Sequence, residues 1–598
     1  MTTYVNHFQR EQGVRAKSDR PGRMRHVSSA LMASTFSLIA SANIADAQTS
    51  PVNTTVILHN GVIVTQDAED RNVSAVAVLG DRIVAAGSED EILSLRAAGT
   101  CVVDLQGKTV IPGLSDSHVH TGYEDPEDLV DLVPARNLND IVSAIQARAS
   151  SIEPGELILT NGDWHEGQLE ERRLPTVAEL DKAAPDNPVV VVRGGHSYIL
   201  NTAALKKFNI TKETAVPEGG AIPKTPEGEL TGELIDTAKR LVKLDPPPAK
   251  SLDERLEALQ REQERYTSLG LTSYRVPGVS VDEMKDYMEL YRRGLMKARA
   301  SVLIRWDRVT PAAEYRKVLE AWPLLSRFGD EWLRFDGIKL GVDGGYEGGW
   351  LREPYLEPIG RGGTYYGVNT VESDLYYDMV KLMNDLDLRP STHVVGDRAL
   401  DMVLDAIEKV DNEKSIEGMR WSLEHVFLSD PEQIARIKEL DLIISAQSHL
   451  YLAGSSLITL WGKDRAEAVA PVASWLAAGI PVASGTDNKL PYVPEAPLMT
   501  FYHWVTRDTQ SAGVLGPDEK ISRKDALAIA TKGGAYLTFE EGIKGTLEPG
   551  KLADMVVLSQ DIMTVPDDQL PDTQVLATMV GGKFVYSTPE SGAGNCSQ

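Results

Sequence analysis

Residues 109–120 read Thr-Val-Ile-Pro-Gly-Leu-Ser-Asp-Ser-His-Val-His, an apolar extended run ending on His118 and His120. Residues i and i+2 of an extended segment point to the same side. Two imidazoles at a strand end can therefore address one metal ion, although a His-x-His pair alone is as readily an ordinary turn pair. The rest of the chain decides between these. Further strand-like runs stand near 271 (LTSYRV), 300 (ASVLIRW), 335 (FDGIKLG), 389 (RPSTHVV), 420 (MRWSLEHV), 442 (LIISAQ) and 480 (IPVASGT), separated by helical stretches. Eight strands alternating with helices predict an α/β chain folded as a (β/α)8 barrel over residues 113–540. One helix is marked at both ends, by a capping box at Ser251-Leu252-Asp253-Glu254 and by Gly270 at the stop. The span exceeds the roughly 250 residues of a plain barrel, and the excess is placed in an inserted subdomain at about 155–245. Within it, residues 217–232 (PEGGAIPKTPEGELTG) read as a long surface loop.

Both flanks of the barrel are rich in strands. Residues 54–112 alternate apolar and polar positions around Asn-Gly and Gly-Asp turns, which reads as antiparallel hairpins, and residues 541–586 mirror them. Neither block has enough strands to bury a core alone. One composite β-sandwich built from 54–112 and 541–586 is therefore expected.

The chain has 598 residues, 42% hydrophobic and 25% charged, which excludes disorder of the whole chain. Its net charge of -26 argues against nucleic acid or an anionic membrane as partner. The basic residues Arg20, Arg23 and Arg25, a short apolar run and Ala45-Asp46-Ala47 describe a signal peptide over 1–47 and an exported, periplasmic or secreted protein. No later segment approaches the roughly 18 apolar residues of a membrane span. Cys101 and Cys596 are too few for a disulfide framework or a Cys-rich zinc site. Cys596 lies in a small-residue tail, and its pairing with Cys101 is not expected. A metal would have to be held by His and carboxylates.

The polar residues that close the apolar runs fit that requirement. His393 ends the fifth strand, His425 the sixth and Asp487 the eighth, the end at which barrel active sites lie. Any one of these histidines is as easily a satisfied core residue. Four histidines and a carboxylate in barrel order suit zinc or a similar ion. Trp164, His165 and His449 are further candidates to line a substrate site, with plain packing as the alternative. Lys339, on the fourth strand, reads from spacing alone as a partner of Asp343 or Asp336. No G-x-S-x-G motif points to a covalent acyl-enzyme.

These residues resemble the amidohydrolase superfamily, specifically the amidohydrolase family 3 group that includes N-substituted formamide deformylases. The resemblance runs from about 54 to 586. It rests on IPGLSDSHVH (111–120), GDWHEGQL (162–169), PTVAELD (175–181), GGHSYILNTAAL (194–205), KLGVDGG (339–345), THVVGDRAL (392–400), EHVFLSD (424–430), SGTD (484–487) and GTLEPGKLADMVVL (545–558). It implies one or two divalent ions, zinc first, with His118 and His120 on the more buried ion and His393 and His425 on the second. Lys339 is then a bridging carboxylated lysine, and Asp487 both a ligand and the proton shuttle. His196 and Asn201 match substrate-binding positions. SGTDNKLP departs from the commoner Gly-Ser-Asp-x-Pro, which alters a substrate-facing loop and keeps the carboxylate. The implied function is hydrolysis of a C–N bond in a small amide, N-acyl or N-formyl substrate. An ester, lactone or cyclic amide is the alternative, and a non-catalytic binding protein is a third reading that the intact ligand set opposes. Oligomeric state is not legible.

Overall fold

The computed structural model describes residues 54–596, apart from 122–128, 163, 165, 245–249, 307–309, 322–326, 358–359, 361 and 488–495. The expected signal peptide at 1–47 and His165 lie outside the described residues.

Eight parallel strands form one sheet in the order of the chain: Leu114–Asp116, Leu271–Val279, Arg299–Arg305, Leu333–Gly341, Pro390–Val394, Ser422–His425, Ile443–Gln447 and Val482–Gly485. Backbone bonds from Ser117 N–H to the Ser484 carbonyl (3.0 Å) and from Asp487 N–H to the His118 carbonyl (2.7 Å) bring the last strand back to the first. The expected barrel forms. Its strands are buried on both faces, as parallel strands beneath a ring of helices must be. The helices present apolar stripes at helical spacing, as Leu400, Val403, Leu404, Ile407 and Val410 do on Asp397–Glu413. Helix Leu252–Ser268 carries the capping box from Ser251 and Glu254, and Gly270 ends it at φ +87°.

The chain ends build two packed sheets. One holds Val56–His59, Ala75–Leu79, Arg82–Gly87 and Cys101–Asp104; the other joins Val62–Val64, Asn72–Val73 and Thr109–Pro112 to Met555–Leu558, Val575–Val580 and Lys583–Ser587. Val56, Leu58, Val76 and Val103 from the first sheet meet Val110, Met555, Val557 and Met579 from the second in one core. Two of the expected hairpins are corners instead. Val56–His59 and Val62–Val64, on either side of Asn60-Gly61, lie in different sheets, as do Cys101–Asp104 and Thr109–Pro112. Each pairs in parallel with its counterpart, so two segments cross together from one layer to the other. Alternation of apolar residues cannot tell such a corner from a hairpin, because both leave one face buried.

The run 109–116 is likewise divided. Thr109–Pro112 belongs to the sandwich and Leu114–Asp116 to the barrel, with Gly113 between them, where any Cβ would collide with Thr272. Asp554 fastens this junction. Its carbonyl accepts the Gly113 N–H at 2.9 Å, and its carboxylate takes the Arg299 guanidinium in two bonds of 2.7 and 3.0 Å.

The insertion has its own sheet, made of Ile158–Leu159, Val189–Arg193, Ser197–Leu200, Gly220–Ala221 and Glu233–Asp236. Its core reaches back through helix Leu138–Ala149 to Val130, earlier than the expected start at 155. The stretch 217–232 is no plain loop: Gly220–Ala221 joins the sheet and Lys224 bridges Leu230. Among the described residues, no helix is long and apolar enough to cross a membrane.

Cys101 and Cys596 form a disulfide, with Cα atoms 5.7 Å apart. This corrects the expectation from composition. The tail folds back as a short 3₁₀ turn whose Ala593 is buried in the sandwich core, and that brings Cys596 to the edge strand carrying Cys101. Closing so long a loop stabilises by an order of 2–4 kcal/mol. Reduction, or Cys596→Ser, should lower the denaturant midpoint measured by circular dichroism; an unchanged midpoint on reduction would mean that the disulfide does not stabilise the fold.

Candidate metal centre

The polar ends of the barrel strands converge. His118 is buried, with Nδ1 2.6 Å from Glu424 Oε2 and Nε2 3.3 Å from Asp487 Oδ1. His120 is more exposed and reaches the same Asp487 oxygen through Nε2 at 3.0 Å. His425 places Nδ1 2.7 Å from Gln447 Oε1, and its ring centroid lies 4.9 Å from that of His118 and 4.6 Å from that of His393. His393 Nε2 is 3.1 Å from the Gly344 carbonyl and 3.6 Å from Asp343 Oδ1. His449 Nε2 lies 3.1 Å from Asp487 Oδ2. Ligand atoms of His118, His425 and Asp487 fall within 4.8 Å of one another; His120 and His393 stand beside that trio.

Electrostatics fit these groups to a cation. Burial, helped by the Lys339 charge, pushes the His118 imidazolium down to about 4 against the pull of Asp487 and Glu424. Burial likewise holds His425 well below the usual histidine range. Burial also opposes ionisation of Asp487, but the charge of His118 and His425 wherever they are protonated, and hydrogen bonds from His120 and His449, hold the carboxyl well below its usual range. Neutral imidazoles and an ionised carboxylate are the protonation states metal binding requires. A neutral His118 donating Nδ1–H to Glu424 turns the Nε2 lone pair towards Asp487. Two acceptors 3.3 Å apart repel unless a cation lies among them. The residues present fit a divalent ion.

The backbone here is strained. His425 (φ +76°), Val426 (φ +45°) and Asp487 (φ +61°) occupy the left-handed region without being glycine. Such residues cost about 1–3 kcal/mol each and gather where function demands them. Bonds from Val426 N–H to the Val394 carbonyl and from Asp487 N–H to the His118 carbonyl hold both turns to neighbouring strands.

Lys339 is buried on the fourth strand, and burial pushes its ammonium down to about 8. The pairing read from spacing does not form. Asp336 takes Arg275 and Arg389, and Asp343 accepts the backbone N–H groups of Trp350, Val395 and Gly396.

Of the substrate candidates, the structure brings two to the centre: His196 stacks on His393 with centroids 5.7 Å apart, and His449 meets Asp487. Asn201 is not available to a substrate. Its side chain accepts from Val189 N–H and Ala204 N–H and donates to the Ala184 and Asn187 carbonyls, capping helix Thr202–Lys207. Trp164 packs in the core of the insertion and donates Nε1–H to the Val192 carbonyl. Glu424 and Gln447, which hold His118 and His425, and Arg275, which holds Glu424, are not among the residues singled out from the sequence. Their signal was a charge or amide inside an apolar strand run, as in SLEH and LTSYRV.

A sequence model described as the amidohydrolase family matches residues 101–586. The chain belongs to the amidohydrolase family. This amidohydrolase is 27% identical over 547 residues to the N-substituted formamide deformylase of Arthrobacter pascens, covering 89% of this chain and 98% of that one. It is 30% identical over 554 residues to Protein LONG AFTER FAR-RED 3 of Arabidopsis thaliana, covering 89% and 91%. An uncharacterized metal-dependent hydrolase from Pyrococcus furiosus superposes with a TM-score of 0.60 at 27% identity, over 85% of this chain and all of that structure. Family membership and the donor cluster together make the protein a metal-dependent hydrolase.

If Glu424 sets the orientation of His118, Glu424→Gln should weaken metal affinity by about 10–100-fold. Competition with a chromophoric chelator measures this, and wild-type affinity would show the ligand to be oriented without it.

Proposed function

We propose that this amidohydrolase is an exported enzyme that hydrolyses a C–N bond of a small amide, N-acyl or N-formyl compound, with zinc as its ion. The observation that carries the reading is Asp487. Its two oxygens lie between His118 and His120 on one side and His449 on the other, and it stays ionised despite burial. The N-substituted formamide deformylase relative, aligned over nearly its whole length, supports the bond type.

His118, His120 and Asp487 would hold one ion. His393 and His425 would hold a second, with carboxylated Lys339 a ligand to both, and the depressed Lys339 ammonium makes the neutral amine that carboxylation needs easier to reach. A bound divalent ion lowers the pKa of water towards about 7 and polarises a carbonyl. Asp487 takes the proton of the attacking water and returns it to the departing nitrogen, since an amide anion leaves poorly. Such acid–base help is typically worth about 10²–10⁴-fold. His449, at hydrogen-bond distance from Oδ2, keeps the carboxylate turned for both transfers. Export is supported by the basic and apolar leader sequence and by the Cys101–Cys596 disulfide, a bond that persists in oxidising compartments.

The test is amine release from a panel of N-formyl, N-acetyl and long-chain N-acyl amines by zinc-loaded enzyme, beside a chelator-treated control. Chelator-sensitive release from one subset is expected. No release with metal demonstrably bound would turn the reading to esters, lactones or cyclic amides. Asp487→Asn should keep the circular dichroism spectrum and lose about 10²–10⁴-fold in turnover; a variant at full rate would remove Asp487 from the proton path.

A further inference from the structure

Behind the metal-side histidines, the glycine-rich loop at 344–349 after the fourth strand meets the insertion. Asp236 ends the strand Glu233–Asp236 in a rare conformation for a residue with a side chain, φ +50° and ψ -119°. Its carboxylate is buried, with Oδ1 2.8 Å from His196 Nδ1. Among the described residues Oδ2 has no hydrogen-bond partner, and it rests against Gly344 and Gly348, where a Cβ on either glycine would collide with it. A Cβ on Gly345 would stand 2.7 Å from the His196 ring. Strained backbone and absent side chains on both sides thus serve one contact, between Asp236 and His196.

His196 Nδ1 has a second neighbour, the Gly345 N–H at 3.1 Å. One ring nitrogen cannot both donate to a carboxylate and accept from an amide. If Nδ1 accepted, the buried Asp236 carboxylate would lose the donor on Oδ1 and keep an orphan Oδ2, which is costly for a charge in a low dielectric. The proton therefore belongs on Nδ1, donated to Asp236. In the neutral imidazole that leaves Nε2 without a proton, on a ring that stacks on His393 and keeps 32% of its side chain exposed.

We propose that Asp236 is a positioning residue that locks His196 in the Nδ1–H tautomer, so that Nε2 is a hydrogen-bond acceptor selecting substrates with an N–H at that place, secondary amides over N-alkylated ones. The lock stands on geometry alone; the selectivity rests on the hydrolase reading. An ester offers no donor there, and a tertiary amide likewise leaves the acceptor unpaired. A missing hydrogen bond of this kind costs about 10–100-fold in kcat/KM.

Two measurements test it. The tautomer is read from ¹⁵N-histidine spectra of the full chain, with the His196 signal assigned by its loss in His196→Gln. The wild type should show Nδ1–H, and Asp236→Asn, which removes the charge, should move the proton to Nε2. A wild-type Nε2–H tautomer overturns the lock whatever the enzyme hydrolyses. The second measurement is the ratio of kcat/KM for a secondary amide to that for its N-methyl analogue. It should be about 10–100 in the wild type and fall towards unity in Asp236→Asn and His196→Ala. The double variant should add nothing to either single change. A residue that only supported the fold would lower both substrates alike and leave the ratio intact, which overturns the selectivity. Absence of turnover with every amide overturns the selectivity together with the amidase reading, and the spectra still decide the lock.

Discussion

Glu424 has no exposed surface, and its two oxygens take His118 Nδ1, Arg275 Nη1 and Ser391 Oγ. From there the charges alternate through the barrel interior. Arg275 passes to Asp336, Asp336 to Arg389, and Arg389 ends on the Arg420 and Leu537 carbonyls. A buried charge is tolerated only when paired and hydrogen-bonded, and breaking one such pair costs about 3–5 kcal/mol. The barrel is therefore filled by a chain of ions whose upper end is the group that aims a metal ligand. Interior stability and the orientation of His118 are one arrangement, and a change at Asp336 or Arg389 reaches the centre through it.

The same economy recurs at the rim. Gln447 fixes His425 as Glu424 fixes His118, and Asp343 gathers three backbone N–H groups beneath His393. Asp236 does this for His196. His118, His425 and His196 each have a neighbour that decides which nitrogen is free, and the strained turns at His425 and Asp487 set where two of the converging side chains lie.

The barrel was legible because parallel strands buried on both faces leave uninterrupted apolar runs, and a polar residue at the end of each run marks the mouth. The ligand candidates were legible for that reason. What could not be read depends on pairing across long separations. Asn60-Gly61 marks a turn without saying whether its strands pair with each other. Asn201 has the chemistry of a ligand contact and uses all of it inside the insertion, on a helix cap, a strand N–H and two loop carbonyls. Cys596 was set aside because its tail lacks apolar length, whereas a single buried Ala593 suffices to seat it. Glu424 was hidden beside His425, whose chemistry is the more conspicuous.

Gly113 is the only residue between the sandwich strand Thr109–Pro112 and the barrel strand that leads to His118. The first strand lies between Val62–Val64 and Met555–Leu558, the latter more than 400 residues further along the chain. The sandwich is thus not an appendage that could be exchanged for another module, because its register is also the register of the catalytic mouth. A nascent chain can assemble the barrel strands from their own sequence, but the sandwich strand that runs into the first of them finds its final neighbour only when residues past 555 emerge. The support beneath the first barrel strand is in this way completed only after Asp487, the last of the candidate ligands, has been made.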